Sequence, residues 1–268
     1  MQHPVKRVGR ILLPVISAYL FTFILSQVFY LVLLLGAGVS VEALDQWVLA
    51  ITAGVELLFF PLGIWMYRRD QKRRSPWNKK IKNQKPEFLL LFFMGMGLSQ
   101  LTNIFVSLLG LAQYSKEYEE LLENSISSQS IFLQIFTVCL VAPAFEELIF
   151  RGLLFQRIRD YFSPIWAIII SSVIFGIYHG NLIQAVYAFI FGMFLALAVE
   201  YTGTLRAGIL MHMSGNLYSI LLQNFGMDLL EIGNGIFYLE ILFGLTIIVV
   251  AGCIYYRKKA KKQQIRLK

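Results

Sequence analysis

Eight apolar segments occupy most of this chain, and several of them are long enough to cross a lipid bilayer. A transmembrane helix needs about 20 predominantly apolar residues. The sequence therefore predicts an all-α, polytopic integral membrane protein with about eight transmembrane helices. The fifth and seventh segments are short, which is acceptable for helices buried among neighbours. The predicted helices are Ile11 to Gly38, Trp47 to Tyr67, Phe88 to Ala112, Ile131 to Phe155, Pro164 to His179, Ile183 to Tyr201, Leu205 to Leu222 and Phe237 to Tyr256.

The composition excludes an ordinary soluble domain. Of the 268 residues, 57% are hydrophobic and 15% are charged, which is typical of a chain that lies mostly in lipid. The formal net charge is +8, but the positions of the charges follow membrane topology and do not suggest a nucleic-acid surface. We expect membrane lipids as partners, no nucleic acid, and a multi-pass location in the cell (plasma) membrane.

Basic and acidic residues are separated among the predicted loops. Nine Lys and Arg residues lie between Arg68 and Lys85, and seven lie between Arg257 and Lys268. Such an excess is typical of cytoplasmic segments. The loops after the first, third and seventh helices carry Lys116 and these acids: Glu42, Asp45, Glu117, Glu119, Glu120, Glu123, Asp228 and Glu231. Eight spans with both termini in the cytoplasm fit this distribution.

The chain divides into three parts along its length. Residues 1–130 hold three helices and a basic cytoplasmic loop, residues 131–222 hold the polar motifs described next, and residues 223–268 hold the last helix and a basic tail.

Cys139 and Cys253 lie in separate apolar segments. They therefore indicate neither a disulfide framework nor a zinc motif.

Three ionisable residues interrupt the fourth apolar segment: Glu146, Glu147 and Arg151. A charged side chain inside a membrane is costly, so it usually faces a protein interior or a wet cavity and marks a functional site. Glu147 and Arg151 are four residues apart with the acid first, which favours an ion pair on a helix. Glu146 points about 100° away from Glu147. We predict that Glu147 is structural and that Glu146 is available for chemistry.

Two further polar motifs lie in the fifth and seventh segments. Phe175 and His179 are one turn apart on the fifth predicted helix, and His212 and Asn216 are one turn apart on the seventh. Counted at about 1.5 Å per residue from the cytoplasmic ends, the two histidines, the amide and Glu146 fall within about two turns in depth. The sequence therefore predicts that these four side chains share a site near the middle of the membrane.

A carboxylate, two imidazoles and an amide suit peptide hydrolysis. A base must take a proton from water, and hydrogen-bond donors must stabilise the oxyanion that forms on the peptide carbonyl. Glu146 can be that base. No Ser or Cys lies in a nucleophile motif of the Gly-x-Ser-x-Gly type, which favours direct attack by water over an acyl-enzyme.

The three motifs together resemble those of a known family, the CPBP (Abi) intramembrane proteases. This family includes the CAAX prenyl endopeptidases and bacteriocin-processing or immunity proteins. The resemblance covers residues 131–222 and implies an intramembrane endopeptidase of the CAAX type. The motifs follow one another on successive predicted helices: Glu146-Glu147-x-x-x-Arg151, Phe175-x-x-x-His179 and His212-x-x-x-Asn216.

The resemblance also implies a role for each motif residue. Glu146 and His179 would activate the water, and His212 and Asn216 would form the oxyanion hole. Glu147, Arg151 and Phe175 would support the site. The implied substrate is a peptide or the C-terminal region of a membrane-associated protein. A Cys-a-a-X end is cut only where proteins are prenylated, and the sequence does not show whether that applies.

A zinc site is an alternative within the same family. His179, His212 and a Glu could hold zinc, because three protein ligands and a water form the usual catalytic arrangement. No His-Glu-x-x-His pair lies on one helix, and the oxyanion role accounts for Asn216 as a zinc site does not. We therefore prefer a site without metal or other cofactor.

Other classes of membrane protein remain open. An ion-coupled transporter would also place acids inside the membrane, and Glu56 and Glu200 are available for that purpose. We expect Glu200 to extend to the membrane surface or to pair with Arg206. Glu56 has no evident basic partner, so we expect it to line a cavity or to be protonated. A non-proteolytic immunity or scaffold protein is the third class, and it would not need an intact set of four site residues.

Overall fold

The computed structural model describes residues 4–74, 87–110, 126–231 and 235–266. Within these residues the chain forms eight principal helices and no strand. Short π and 3-10 helices, Val32–Gly36 and Val41–Trp47, connect the first two. The principal helices are α1 (Pro4–Leu31), α2 (Val48–Arg73), α3 (Phe88–Leu108), α4 (Ile131–Arg159), α5 (Pro164–Tyr178), α6 (Leu182–Thr202), α7 (Leu205–Glu231) and α8 (Ile236–Arg266).

Six helices in the described part of the chain are long and apolar enough to cross a membrane: α1, α2, α3, α4, α6 and α8. The fifth helix, α5, is apolar but has only 15 residues, and α7 is not among the six. The prediction of an all-α, multi-pass membrane protein is confirmed. The count of eight spans and the cytoplasmic position of both termini stay predictions, as does the division into three parts.

Several helices extend beyond their predicted ends. The second continues to Arg73 instead of stopping at Tyr67, and the seventh continues to Glu231 instead of Leu222. Asp228 and Glu231 were expected in a loop and instead lie in α7. The charged and amide residues at these ends are adequate helix formers, and no proline interrupts them. The predicted acidic loop at 113–125 and the basic loop at 75–86 lie outside the described residues.

The fourth helix, α4, is irregular over much of its length. Two π-helical stretches, Ile135–Val141 and Leu148–Phe155, flank the short α-helical segment Ala142–Glu147 that carries both acids. Pro143 lies in this segment and has no backbone N–H to donate. Such π-helical insertions are frequent at functional sites.

The outer faces of the helices are apolar. Large side chains such as Leu89, Leu108 and Phe132 are 77%, 81% and 83% exposed in the isolated chain. Soluble monomers rarely leave so much contiguous apolar surface in contact with water. This surface, together with the six apolar helices, indicates that lipid surrounds the protein.

The interior consists of two apolar clusters that share α6. One cluster joins α1, α2, α4, α5 and α6, and the other joins α3, α6, α7 and α8.

Glycine residues allow close contacts between neighbouring helices. An added Cβ at Gly95 would lie 2.2 Å from the Met211 carbonyl oxygen on α7, and one at Gly176 would lie 2.6 Å from the Ala185 carbonyl oxygen on α6. Small residues let membrane helices approach in this way.

Ion pairs join the helices at one end of the bundle. Arg157 of α4 donates to Asp70 of α2 at 2.6 Å and also to the Arg10 carbonyl of α1. Arg159 binds Glu200 of α6 through two hydrogen bonds of 3.0 and 3.1 Å. The prediction that Glu200 pairs with Arg206 is therefore wrong. Arg159 is closer in space although it is distant in sequence.

Candidate active site

Glu147 and Arg151 form the predicted ion pair inside the bundle. Arg151 Nη1 donates to Glu147 Oε1 at 2.7 Å, and the two side chains are 1% and 0% exposed. Arg151 Nη2 also donates to the Gly192 carbonyl of α6 at 3.1 Å. The guanidinium lies over the ring of Phe175, 4.1 Å from its centre. Arg151 thus connects α4 with both α5 and α6.

Two glycines leave the space that this ion pair occupies. A Cβ added at Gly192 would lie 2.8 Å from Arg151 Nη2, and one added at Gly208 would lie 2.5 Å from Glu147 Oε2. Glycine at these positions therefore permits the charged groups to lie directly against the backbones of α6 and α7. Neither glycine belongs to one of the three sequence motifs, although Gly208 stands one helical turn before His212.

Substituting Gly208 with Ala should destabilise the protein by about 1–3 kcal/mol, because the new methyl group must displace the Glu147 carboxylate or Val199. The matched control is Gly244→Ala on α8, where no atom lies within 4 Å of the added Cβ. That change should be neutral or should stabilise the helix by up to about 1 kcal/mol. Unfolding of both variants in the same detergent measures the difference, and equal effects would contradict the assigned packing.

His212, on α7, lies between the two acids of α4. Its Nδ1 is 3.1 Å from Glu147 Oε1 and its Nε2 is 3.7 Å from Glu146 Oε2. Because Glu147 Oε1 also accepts from Arg151, it acts as an acceptor here and His212 Nδ1 donates. Sequence spacing did not reveal this bridge, since it joins positions 65 residues apart.

His179 is held by the end of its own helix. Its backbone N–H bonds to the Gly176 carbonyl at 3.2 Å, so the last turn of α5 tightens and the Phe175 carbonyl is left available. The His179 Nδ1 lies 2.8 Å from that carbonyl oxygen. A carbonyl can only accept, so Nδ1 carries the hydrogen and a neutral His179 has its lone pair on Nε2. The ring is thereby fixed with a basic nitrogen free.

Asn216 is held by α4. Its Nδ2 donates to the Val138 carbonyl at 2.8 Å. That carbonyl is available because the Ala142 N–H bonds to the Thr137 carbonyl in the π-helical stretch, and Pro143, the next residue, has no N–H. The irregularity of α4 therefore orients an amide on α7. An amide nitrogen carries two hydrogens, so one donor remains.

The ring of Phe175 contacts both imidazoles. Its centre is 4.8 Å from that of His179 and 6.0 Å from that of His212, and both contacts are edge-to-face. Since Arg151 lies over the same ring, Phe175 separates the buried ion pair from the histidine of α5. This position agrees with the supporting role that the resemblance implies, and that role stays a prediction.

Four predicted site residues line one cavity of about 850 Å³: Glu146, His179, His212 and Asn216. The structure thus brings these four side chains to one cavity, while their depth in the membrane and their catalytic roles stay predictions. Glu147 and Arg151 lie behind the cavity wall. Side chains of α1, α2 and α3 also line the cavity, so the first three helices contribute directly to the site. Glu56 of α2 is among them, as expected for an acid without a basic partner.

The zinc alternative requires three ligands in one place. Within the parts of the chain that the structure describes, no group of three His, Cys, Asp or Glu side chains lies close enough together to hold a metal ion. The described side chains are therefore not arranged as a zinc site, and zinc dependence stays a matter for experiment.

Comparison with known proteins identifies relatives of the motif-bearing region. Residues 128–218 match the model of a family described as type II CAAX prenyl endopeptidase Rce1-like. A protein of Bacillus subtilis (strain 168) named "Putative membrane peptidase YdiL" is 28% identical over 136 residues, which make up 51% of this chain and 53% of that protein. The match thus spans about half the length of this relative. No solved structure matches the chain. All three motifs lie inside the region that matches the family.

Proposed function

We propose that the protein is an intramembrane endopeptidase of the CPBP (CAAX protease) family, because residues 128–218 match the Rce1-like endopeptidase family and carry all three motifs. It cuts a peptide bond in a membrane-associated peptide or in the C-terminal region of a membrane-associated protein. Water, activated by Glu146 and His179, is the nucleophile, and His212 and Asn216 bind the oxyanion.

One observation carries the proposal. Glu146, His179, His212 and Asn216 come from three helices and all line the same cavity inside an apolar bundle. A lone acid or histidine in a membrane helix can be a packing residue, but four such groups on one cavity wall are difficult to explain by packing alone. The residues behind them are themselves held by hydrogen bonds, which preorganises the site.

Glu146 and His179 supply the two basic positions needed at the water. The Glu146 side chain is 15% exposed and has no Lys or Arg partner among the described residues. The neutral His179 presents Nε2 because Nδ1 donates to the Phe175 carbonyl. As the water oxygen bonds to the peptide carbon, its proton passes to Glu146 and the carbonyl electron pair moves to oxygen. The proton then passes to the leaving amine as the C–N bond breaks.

His212 and Asn216 supply the donors for the oxyanion. Asn216 uses one amide hydrogen on Val138 and keeps the other. His212 donates from Nδ1 to Glu147, so it can donate to substrate only if Nε2 also carries a hydrogen. The acting form is then the imidazolium, with Glu147 and Glu146 at 3.1 and 3.7 Å as its counter-charges. A cation beside a developing oxyanion stabilises the transition state more than the substrate.

The neighbouring acids Glu146 and Glu147 thus have different roles. Glu147 is fully buried, neutralised by Arg151 and connected to His212, so it sets the position and charge of the oxyanion-hole imidazole. Glu146 is next to it in sequence but faces the cavity. Glu147 therefore orients the imidazole that binds the oxyanion, and Glu146 takes the proton from water.

Membrane peptides from living cells test the proposed activity. Cells that produce the wild-type protein and cells that produce Glu146→Gln should differ in a small set of membrane-derived peptides, seen by quantitative mass spectrometry. Expected products are present with wild type and absent with Glu146→Gln, while the intact precursor accumulates. The ends of these products show whether cleavage is of the CAAX type.

A matched variant controls for the loss of a carboxylate elsewhere in the protein. Glu200→Gln also removes one carboxylate from an apolar helix, but Glu200 pairs with Arg159 at the end of the bundle and does not line the cavity. Its peptide profile should match wild type. Identical profiles for all three proteins, at equal protein levels, would count against peptidase activity in favour of an immunity or scaffold function.

A further inference from the structure

Glu56 is a second acid in the same cavity, and neither the motifs nor the proposed mechanism uses it. It lies on α2, is 7% exposed, and lines the cavity together with Glu146. Phe59 and Phe60, one turn further along α2, contact Phe145, the residue before Glu146, with ring centres 5.7 and 6.4 Å apart. The two acids therefore come from adjoining turns of neighbouring helices and line the same cavity.

Glu56 differs from the other buried acids in the described part of the chain. Asp70 is paired with Arg157, and Glu147 is paired with Arg151. Glu56 has no ion pair and no hydrogen bond among the described residues, and its Oε2 is buried without a partner. Burying a polar group without a partner costs several kcal/mol, and a buried charge costs more. A partner of opposite charge that arrives from outside the chain would offset this cost.

The lining of the cavity indicates the chemistry of that partner. Two carboxylates, Glu56 and Glu146, face it, and none of its lining residues is Lys or Arg. Aromatic side chains of α1 and α5 form part of the same wall, including Tyr19, Phe23 and Tyr178. Aromatic faces attract cations and pack against aliphatic chains. A long apolar side chain that ends in a positive charge fits both features.

We propose that Glu56 forms an anionic subsite that takes a primary ammonium or guanidinium group of the substrate, as carried by a Lys or Arg side chain near the cleaved bond. That the cation belongs to a peptide substrate rests on the proposed function. The binding of a cation by Glu56 does not. Glu56 is then a determinant of specificity beside the site of bond cleavage. A basic residue in the substrate provides the partner that Glu56 lacks within the described chain.

Binding of a simple amine tests the subsite without any cleavage. The probe is dansylcadaverine, a fluorophore joined by an alkyl chain to a primary ammonium, and its matched neutral probe carries a hydroxyl instead. With the full-length protein in lipid nanodiscs, wild type should bind the amine at least about tenfold more tightly than the alcohol. Glu56→Gln should reduce this preference to within about twofold, and Glu56→Asp should keep most of it.

Two controls make the result specific. Glu200→Gln removes a carboxylate that lies outside the cavity and should leave the preference unchanged. Glu56→Gln should unfold at the same temperature as wild type or higher, because it removes an unpartnered buried acid. A preference for the amine that survives in Glu56→Gln overturns the subsite, and so does equal binding of both probes by wild type.

Cleavage of paired peptides separates this inference from the proposed function. Membrane-embedded peptides that differ only by Lys or Gln at one position are mixed with wild type and with Glu56→Gln. If wild type favours the Lys peptide at some position and Glu56→Gln does not, the subsite acts in catalysis. Cleavage with the same preference in both proteins overturns the subsite. Amine binding through Glu56 without cleavage of any peptide supports the subsite and counts against the proposed function.

Discussion

Glu146→Gln should abolish peptide cleavage while leaving the free energy of unfolding almost unchanged. The amide has the size and shape of the carboxylate but cannot accept a proton from water, so the base is lost. Glu146 faces the cavity, and its contact with His212 Nε2 is long, at 3.7 Å, so little stability depends on it. Turnover of a defined peptide, together with thermal unfolding of the same preparation, measures both effects.

The adjacent acid should behave in the opposite manner. Glu147→Gln leaves the fully buried Arg151 without its counter-charge, which typically costs about 3–5 kcal/mol of stability. The control is Glu200→Gln, whose pair with Arg159 is partly exposed and should cost only about 0–1 kcal/mol. A fully stable but inactive Glu147→Gln, beside an active Glu146→Gln, would show that the two roles are reversed.

The helices could be predicted from the sequence because the membrane imposes a simple rule on them. An apolar run of the required length must be helical, and every segment predicted in this way contains a helix in the structure. The ends were less predictable. Residues 68–73 are polar, so hydropathy places the end of the span at Tyr67, whereas the helix itself continues because no residue there breaks it.

Contacts of the site that lie within one helix could be predicted from residue spacing. The Glu147–Arg151 pair follows from four-residue spacing on one helix, and the structure contains it. The bridge from His212 to both acids, and the pair between Arg159 and Glu200, depend on how different helices are arranged. A single sequence contains no direct signal for such contacts, and nearest-neighbour reasoning therefore selected Arg206 for Glu200.

Irregular backbone geometry also orients site residues in a way that the sequence does not reveal. The Val138 carbonyl is available to Asn216 because the π-helical stretch of α4 runs to Val141 and Pro143 has no N–H to donate to it. Pro143 is visible in the sequence, but which carbonyl it leaves free depends on the π-helical register before it. The same applies to the Phe175 carbonyl, which is left available by the tightened last turn of α5. Both histidine and amide are oriented by backbone groups that regular helices would not offer.

Asn216→Ala should lower the turnover number by about 10²- to 10³-fold while largely sparing the apparent affinity for substrate. Loss of one oxyanion-hole donor has an effect of this size, and it acts on the transition state more than on the bound substrate. The control is Asn224→Ala on the same helix. Asn224 donates to Gln134 Oε1 at 2.9 Å and to the Ile220 carbonyl at 2.8 Å, so its removal also breaks hydrogen bonds of the amide to α4 and to its own helix. It should change stability by a similar amount and turnover very little.

The same experiment separates the two catalytic alternatives, since an oxyanion hole requires no metal. Under the proposed mechanism a chelator should not change the turnover of wild type. A zinc ion bound in one-to-one ratio, lost together with activity in His179→Ala and His212→Ala and restored with it, would refute the metal-free mechanism. A selective loss of turnover in Asn216→Ala without bound metal would instead assign the donor role to the amide. That role depends on the hydrogen that Asn216 does not give to Val138.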